Sequence, residues 1–424
     1  MSDQPIDLSP VRAQFPALQE TDEQGRPYVY FDGPGGTQVH QSVFDAMANY
    51  LIKANANKGG HFVTSHRNDQ IMQNTRAAMA DFVNAPSPKE IIFGANMTTL
   101  TYALSRSIGR TMQPGDEIVV TRLDHDANVS PWVALEEVGV KVKWADFDLE
   151  DCRLDIEHLA SLFTSKTKLV AVGYASNAVG TINPISRIAA LARNVGAWLW
   201  VDAVHYAPHG PIDVQSLGCD FLVCSAYKFF GPHIGVLWGK LNLLEQLQAY
   251  QVRPAPQNVP YVFETGTLNQ EGIAGAGAAV EYLATLGREY GSHLAVKLSN
   301  YQEGQRRELK QAMHTIAAYE RWLFGYMLAE LQTIPGVRIY GITNSDEFSE
   351  RCPTVAFTRA GFTPAQIATY LGEQSIFVWD GNYYAVNVTE RLGVEKSGGM
   401  VRVGLAHYNT KEEVDRFLTT LKEM

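Results

Sequence analysis

The sequence predicts an α/β layer fold with a mostly parallel sheet, followed by a smaller α+β unit. Three observations carry this expectation. Short apolar runs alternate with helical patterns from about residue 89 onward. Those runs are rich in Val, Ile, Leu and aromatic residues and show little polar alternation, as strands covered on both faces do. The chain has 424 residues, 46% apolar and 19% charged, which is enough for a large buried core and two or three domains.

The elements follow in order. EIIFG reads as a strand, and TTLTYALSRSIG (98–109) as a helix beginning at its paired threonines. EIVVTR, KLVAVGY, AWLWVDAV, DFLVCSA and IGVLWGK read as further strands, with helical segments such as ISRIAALARNVG between several of them. The pattern changes after about residue 290. LKQAMHTIAAYERWLFGYMLAELQ spaces its apolar residues as a long helix does. VRIYGI and TVAFTRA read as weaker strands, TPAQIATYLGE as a helix, and IFVWDG and MVRVGLAHY as two more strands. TKEEVDRFLTTLKEM is a terminal helix with a Thr cap and an acidic first turn.

Composition excludes several classes. A net charge of −10 argues against a nucleic-acid binder, which would show a basic face. Four cysteines are too few for a disulfide scaffold. Cys219 and Cys224 lie in the strand-like CDFLVC, where alternation puts them on opposite faces as buried thiols. The N-terminus lacks a secretory pattern, and no apolar run reaches the ~18 residues of a membrane span, so a cytoplasmic protein is expected. No G-x-G-x-x-G follows a strand and no G-x-x-x-x-G-K-[ST] is present. His205, His209 and His233 fit no zinc spacing, so no metal is expected.

The residues that could carry chemistry concentrate in 199–235. Asp202 ends one apolar strand. Lys228 follows the next, with Ser225 three residues before it and the glycine-bearing FFGPHIG after it. Ligands of open α/β sheets bind at the carboxyl ends of the strands, where both residues project. A lysine must lose its proton to form an imine, and a buried or cation-rich site favours that loss. A carboxylate against a pyridinium nitrogen completes the pattern. A capping Asp and a solvated Lys would look the same in isolation. GANMTTL (94–100) offers a strand, a Gly turn and hydroxyls at a helix start, which suits a phosphate and makes Thr98 the best donor; a simple Thr cap also fits. His125 in DHDANVSPW could stack on a cofactor ring or be structural. Asn177 in ASNAVGTINP could hydrogen-bond a cofactor or a carboxylate, or form a turn.

Eight motifs then stand in order: YFDGPGG, the Thr turn, D-H-D-A-N, S-N-x-x-G-T-x-N-P, V-D-A-V-H, S-A-Y-K, E-T-G-T and R-V-G-L-A-H-Y-N-T. From about residue 28 to the C-terminus the chain resembles the class V (fold-type I) aminotransferase superfamily of pyridoxal 5′-phosphate enzymes, and within it the cysteine desulfurase and selenocysteine lyase group. The resemblance implies a seven-stranded, mostly parallel sheet sandwiched by helices in a large domain (28–295), a small C-terminal domain (296–424) and an N-terminal segment (1–27) packing on the latter. It implies Lys228 as the Schiff-base lysine and Cα proton shuttle, Asp202 at the ring nitrogen, His125 stacked on the ring and His205 near O3′. Met97, Thr98, Ser225 and Tyr227 would hold the cofactor phosphate, joined by Thr267 across a homodimer interface. Arg402 would clamp the substrate carboxylate, as a planar fork of donors suits, and Asn177 would assist near that carboxylate or the cofactor O3′. His61, Trp379, Asn382 and Tyr384 would shape the substrate site.

The chain departs from the group at three places. Tyr227 replaces a His before the lysine, and His205 replaces a Gln. The stretch FVWDGNYYAV (377–386) has Tyr384 where desulfurases carry a persulfide-forming cysteine. The expected reaction is therefore β-elimination at a cysteine-type amino acid without that thiol. Transamination, epimerisation and a non-catalytic cofactor-binding role are the alternatives.

Overall fold

Strands are numbered in chain order: β1 (Val29–Tyr30), β2 (Ile91–Gly94), β3 (Glu117–Thr121), β4 (Lys141–Ala145), β5 (Thr167–Gly173), β6 (Trp198–Asp202), β7 (Phe221–Ser225), β8 (Gly235–Gly239), β9 (Val337–Tyr340), β10 (Thr354–Arg359), β11 (Ile376–Phe377), β12 (Trp379–Gly381) and β13 (Met400–Gly404). The computed structural model describes residues 6–424, so the first five residues of the expected 1–27 segment lie outside the described residues.

Seven strands form one sheet in the order β2-β8-β7-β6-β5-β3-β4. β8 runs against both of its neighbours, and the others share one direction. The mostly parallel sheet is as expected. Successive residues of its strands enter two separate apolar cores. Val170, Val172, Leu199, Val201 and Leu222 face one; Leu169, Ala171, Trp200, Phe221 and Val223 face the other. Burial on both faces is why these strands read as continuous apolar runs. Helices Val63–Val83, Gln270–Tyr290 and Gln305–Leu331 cover the first face, and Met97–Gly109 covers the second.

Four strands form an antiparallel sheet, β12-β13-β10-β9. Beyond it, β1 pairs in parallel with β11. The N-terminal segment is tied down by Arg12, which pairs with Glu413 at 2.6 Å and donates to the Tyr408 carbonyl. Buried Phe15 packs edge-on against Tyr282 and Phe230.

Several local expectations are corrected. IFVWDG is not one strand: β11 and β12 belong to different sheets, and the chain crosses between them at Val378. MVRVGLAHY is a strand only to Gly404. Cys219 precedes β7, so strand alternation does not reach it, and it shares one core with Cys224 instead of facing the opposite one. The helix expected at the paired threonines starts at Met97, and its cap is Asn96, whose side chain accepts from Thr99 N at 2.9 Å. That leaves Thr98 free of capping duty.

Gly235 pairs with both Gly94 and Ser225 and lies under this helix start. A Cβ there would fall 2.4 Å from the Asn96 carbonyl carbon. Gly235→Ala should therefore displace the helix start and cost about 1–3 kcal/mol of stability in denaturant melts. An unchanged midpoint would contradict this packing.

Candidate active site

Because the strands share a direction, the chain leaves β2, β3, β5, β6 and β7 at one edge of the sheet. Those exits carry Thr98, His125, Asn177, Asp202 and Lys228. All five line one cleft of about 960 Å³ with His205, Ser225, Tyr227, Trp379, Asn382, Tyr384 and Arg402.

Lys228 sits in the 3₁₀ turn after β7, and its Nζ donates to the Pro34 carbonyl. Opposite, Arg402 is held in β13 between Ala356 of β10 and Trp379 of β12. Its Nη1 donates to the Asn177 carbonyl at 2.9 Å, and its guanidinium lies 4.3 Å over the Tyr383 ring. Its Nε is buried without a partner among the described residues.

Burial and the charge of Arg402 push the Lys228 amine down to about 7, against the opposing pull of Asp202 and Asp32. Asp202 is pushed up to about 7 by burial and by neighbouring Asp124, while Val204 N–H donates to it at 2.9 Å. Burial, aided by Lys228 and Arg402, pulls His125 down to about 4, so its imidazole is neutral near neutral pH. His205 is lowered for the same reasons, with His209 adding to the effect, and its Nε2 meets Thr354 Oγ1 at 3.1 Å.

Helix Met97–Gly109 points its N-terminus at the cleft. Thr98 is exposed there, and Ser225 Oγ accepts from Met97 N at 3.0 Å, tying β7 to the helix start. The Tyr227 ring stacks on His233 at 4.9 Å. Backbone N–H groups at such a start attract an anion.

The mouth is formed by a strained turn. Tyr383 and Tyr384 both have left-handed backbones, φ 55° and 59°. Each such residue costs ~1–3 kcal/mol and must be held by its surroundings. Asn177 Nδ2 donates to the Tyr383 carbonyl at 2.9 Å, and Asp126 N–H donates to the Tyr384 carbonyl at 2.7 Å. Tyr384 is 75% exposed and stacks on His125 at 5.5 Å. Asn382 is braced by Glu395 at 3.0 Å.

Two expected site residues are not in this cleft. His61 and Thr267 are exposed on other surfaces of the chain. Two carboxylates were not anticipated. Asp124 opens D-H-D-A-N and accepts from Gly173 N–H and Asn128 Nδ2. Asp32 lies inside YFDGPGG; in both cases a motif marked the segment without marking the residue.

Lys228 predicts a pH signature. Its amine titrates near 7 when folded against an ordinary 10.5. Between those values the unfolded chain binds the extra proton, so folding stability should rise with pH. Relative to Lys228→Met, ligand-free protein should gain up to ~1.4 kcal/mol per pH unit across that window. Denaturant melts of the two proteins at several pH values measure this, and a constant difference would mean a lysine that stays charged.

Comparison with known proteins places the chain in a family. The family model for class-V aminotransferases matches residues 29–312 and 308–417. A cysteine desulfurase of Pectobacterium atrosepticum is 32% identical over 431 residues, covering 98% of this chain and 97% of that one. The aminotransferase-like protein FGM3 of Gibberella zeae is 33% identical over 432 residues, covering 100% and 99%. Among solved structures, the cysteine desulfurase CsdA of Escherichia coli superposes with a TM-score of 0.81 at 27% identity, covering 99% of this chain and 98% of that one. The apo cysteine desulfurase of Thermococcus onnurineus gives 0.84 at 26%, covering 100% and 98%. Matched along its length in sequence and in fold, the chain belongs to the class V aminotransferase family, whose enzymes use pyridoxal 5′-phosphate.

Proposed function

We propose that this enzyme is a C–S lyase of the cysteine desulfurase type that eliminates the β-substituent of a cysteine-like amino acid without storing sulfur on a thiol of its own. One conjunction carries the reading. Lys228, Asp202, Arg402 and His125 face a single cleft, while all four cysteines are free and buried outside it. Burial pushes Cys152 and Cys219 up to about 12 and raises Cys224 and Cys352 as well. None offers the exposed thiolate that sulfur transfer needs. Tyr384 occupies the mouth instead.

The cleft suits the cofactor. It combines a helix N-terminus, an amine with a lowered proton affinity, a buried carboxylate, and two buried polar atoms without partners among the described residues, Asn177 Oδ1 and Arg402 Nε. Pyridoxal phosphate, when bound, supplies a ring that takes up the electron pair left at Cα. Lys228 would hold it through Nζ and would carry the Cα proton. Asp202 would keep the ring nitrogen protonated. His125 would cover the ring and His205 would lie near O3′. Thr98, Ser225 and Tyr227 would seat the phosphate with Met97 beside them, and Thr267 would reach the corresponding site of a second copy in a homodimer. Arg402 and Asn177 orient the substrate carboxylate. Trp379, Asn382 and Tyr384 would shape the side-chain pocket, and His61 would join them only from a second copy. A cytoplasmic location is part of this proposal. Among the described residues, no helix is long and apolar enough to cross a membrane.

Products decide the reaction. With cysteine, cystine or cysteine conjugates, pyruvate and ammonia should accumulate. A keto acid with aminated cofactor would mean transamination, and a changed enantiomer epimerisation. Replacing all four cysteines with Ser or Ala should leave turnover largely intact. Loss of turnover on replacing one of them, with fold and cofactor retained, would restore a persulfide mechanism. Arg402→Ala should lower kcat/KM by roughly 10²-fold or more, as losing a buried charged partner does.

A further inference from the structure

Asp32 has no role in the reading above. It begins a 3₁₀ turn (Gly33–Gly35) in which Gly35 N–H donates to its carbonyl at 2.7 Å. The turn is wedged between the two cationic sides of the cleft. On one side, Asp32 forms a bridge to Gly404 of β13, two residues from Arg402, and Gly404 N–H donates to the Phe31 carbonyl at 2.8 Å. A Cβ on Gly404 would fall 2.1 Å from Pro34, so the turn lies flat on that strand. On the other side, Thr37 N–H donates to the Tyr227 carbonyl at 3.1 Å, next to Lys228.

Two further observations concern charge. The Lys228 amine rests on the Pro34 carbonyl, within this turn. Asp32 Oδ1, in the residue that opens the turn, is buried with no hydrogen-bond partner among the described residues. The groups facing Lys228 are Arg402 from β13, Asp202 from β6, Asp32 from the turn, and the rings of His125, His205 and Tyr227. Asp202 accepts from Val204 N–H at 2.9 Å. Asp32 acts on both cations, Arg402 and Lys228.

We propose that Asp32 is a positioning residue for Lys228: with the Pro34 carbonyl it forms the seat that receives the lysine in its protonated form, once it is detached and carries the proton taken from Cα. The inference rests on Lys228 being the cofactor-bearing base. A carbonyl alone offers a dipole; the Asp32 carboxylate supplies charge that offsets Arg402. Removing that charge leaves the geometry of the turn and makes the ammonium harder to hold.

The test uses full-length, cofactor-free protein. Reductive methylation of Lys228 by formaldehyde and a borane, followed by mass spectrometry of its peptide across pH, reads the midpoint of deprotonation. The wild type should titrate near 7. Asp32→Asn and Asp32→Ser should both shift the midpoint down by about one pH unit, and Asp32→Glu should stay with the wild type. An unmoved or raised midpoint in the neutral variants overturns the proposal. So does loss of fold in both, because the role assigned is electrostatic. A wild type whose Lys228 titrates as described yet never holds pyridoxal phosphate would instead overturn the functional reading.

Discussion

Lys228 keeps its amine at the floor of a cleft whose nearest cation is Arg402. Two positive groups in a poorly solvated space repel, and the less basic one gives up its proton first. Arg402 keeps its charge even where burial lowers it to about 10, so the loss falls on the lysine. Asp202 and Asp32 limit that loss. The result is an amine that takes and releases a proton near neutral pH, as both covalent attachment of an aldehyde and proton transfer at carbon require.

The rest of the fold serves this placement. Lys228 and Arg402 belong to different sheets, and no local sequence could bring them together. A one-directional sheet delivers five loops to one edge, and the antiparallel sheet delivers Arg402 against them through the Asn177 carbonyl. The strained Tyr383–Tyr384 turn is fixed by the same loops, since Asn177 and Asp126 hold its carbonyls. Asn177 thus touches both Arg402 and the Tyr383–Tyr384 turn, and a change at one is transmitted to the other through a few hydrogen bonds.

The parallel sheet was legible because burial on both faces writes a continuous apolar run. The exits carrying Thr98, His125, Asn177, Asp202 and Lys228 were legible because each follows such a run. β4 was missed for the opposite reason: it is an edge strand, partly exposed, and KVKWA lacks the apolar density of its neighbours. Helices Gln41–Lys53, Val63–Val83 and Gln270–Tyr290 were also passed over, the last because its small residues carry little periodic signal. IFVWDG misled because an apolar run does not record a change of sheet. Asp32 and Asp124 were invisible as charges because their meaning lies in neighbours distant in sequence. His61 and Thr267 are exposed and outside the cleft, so the proposed roles for them require a second copy.

Whether Lys228 is the lysine that holds the cofactor is read directly by borohydride reduction of the yellow holoprotein, followed by peptide mass spectrometry. A pyridoxyl adduct is expected only on the peptide containing Lys228, about one per chain, and none in Lys228→Ala. An adduct of equal stoichiometry on another lysine, or one that persists in Lys228→Ala, would contradict that assignment.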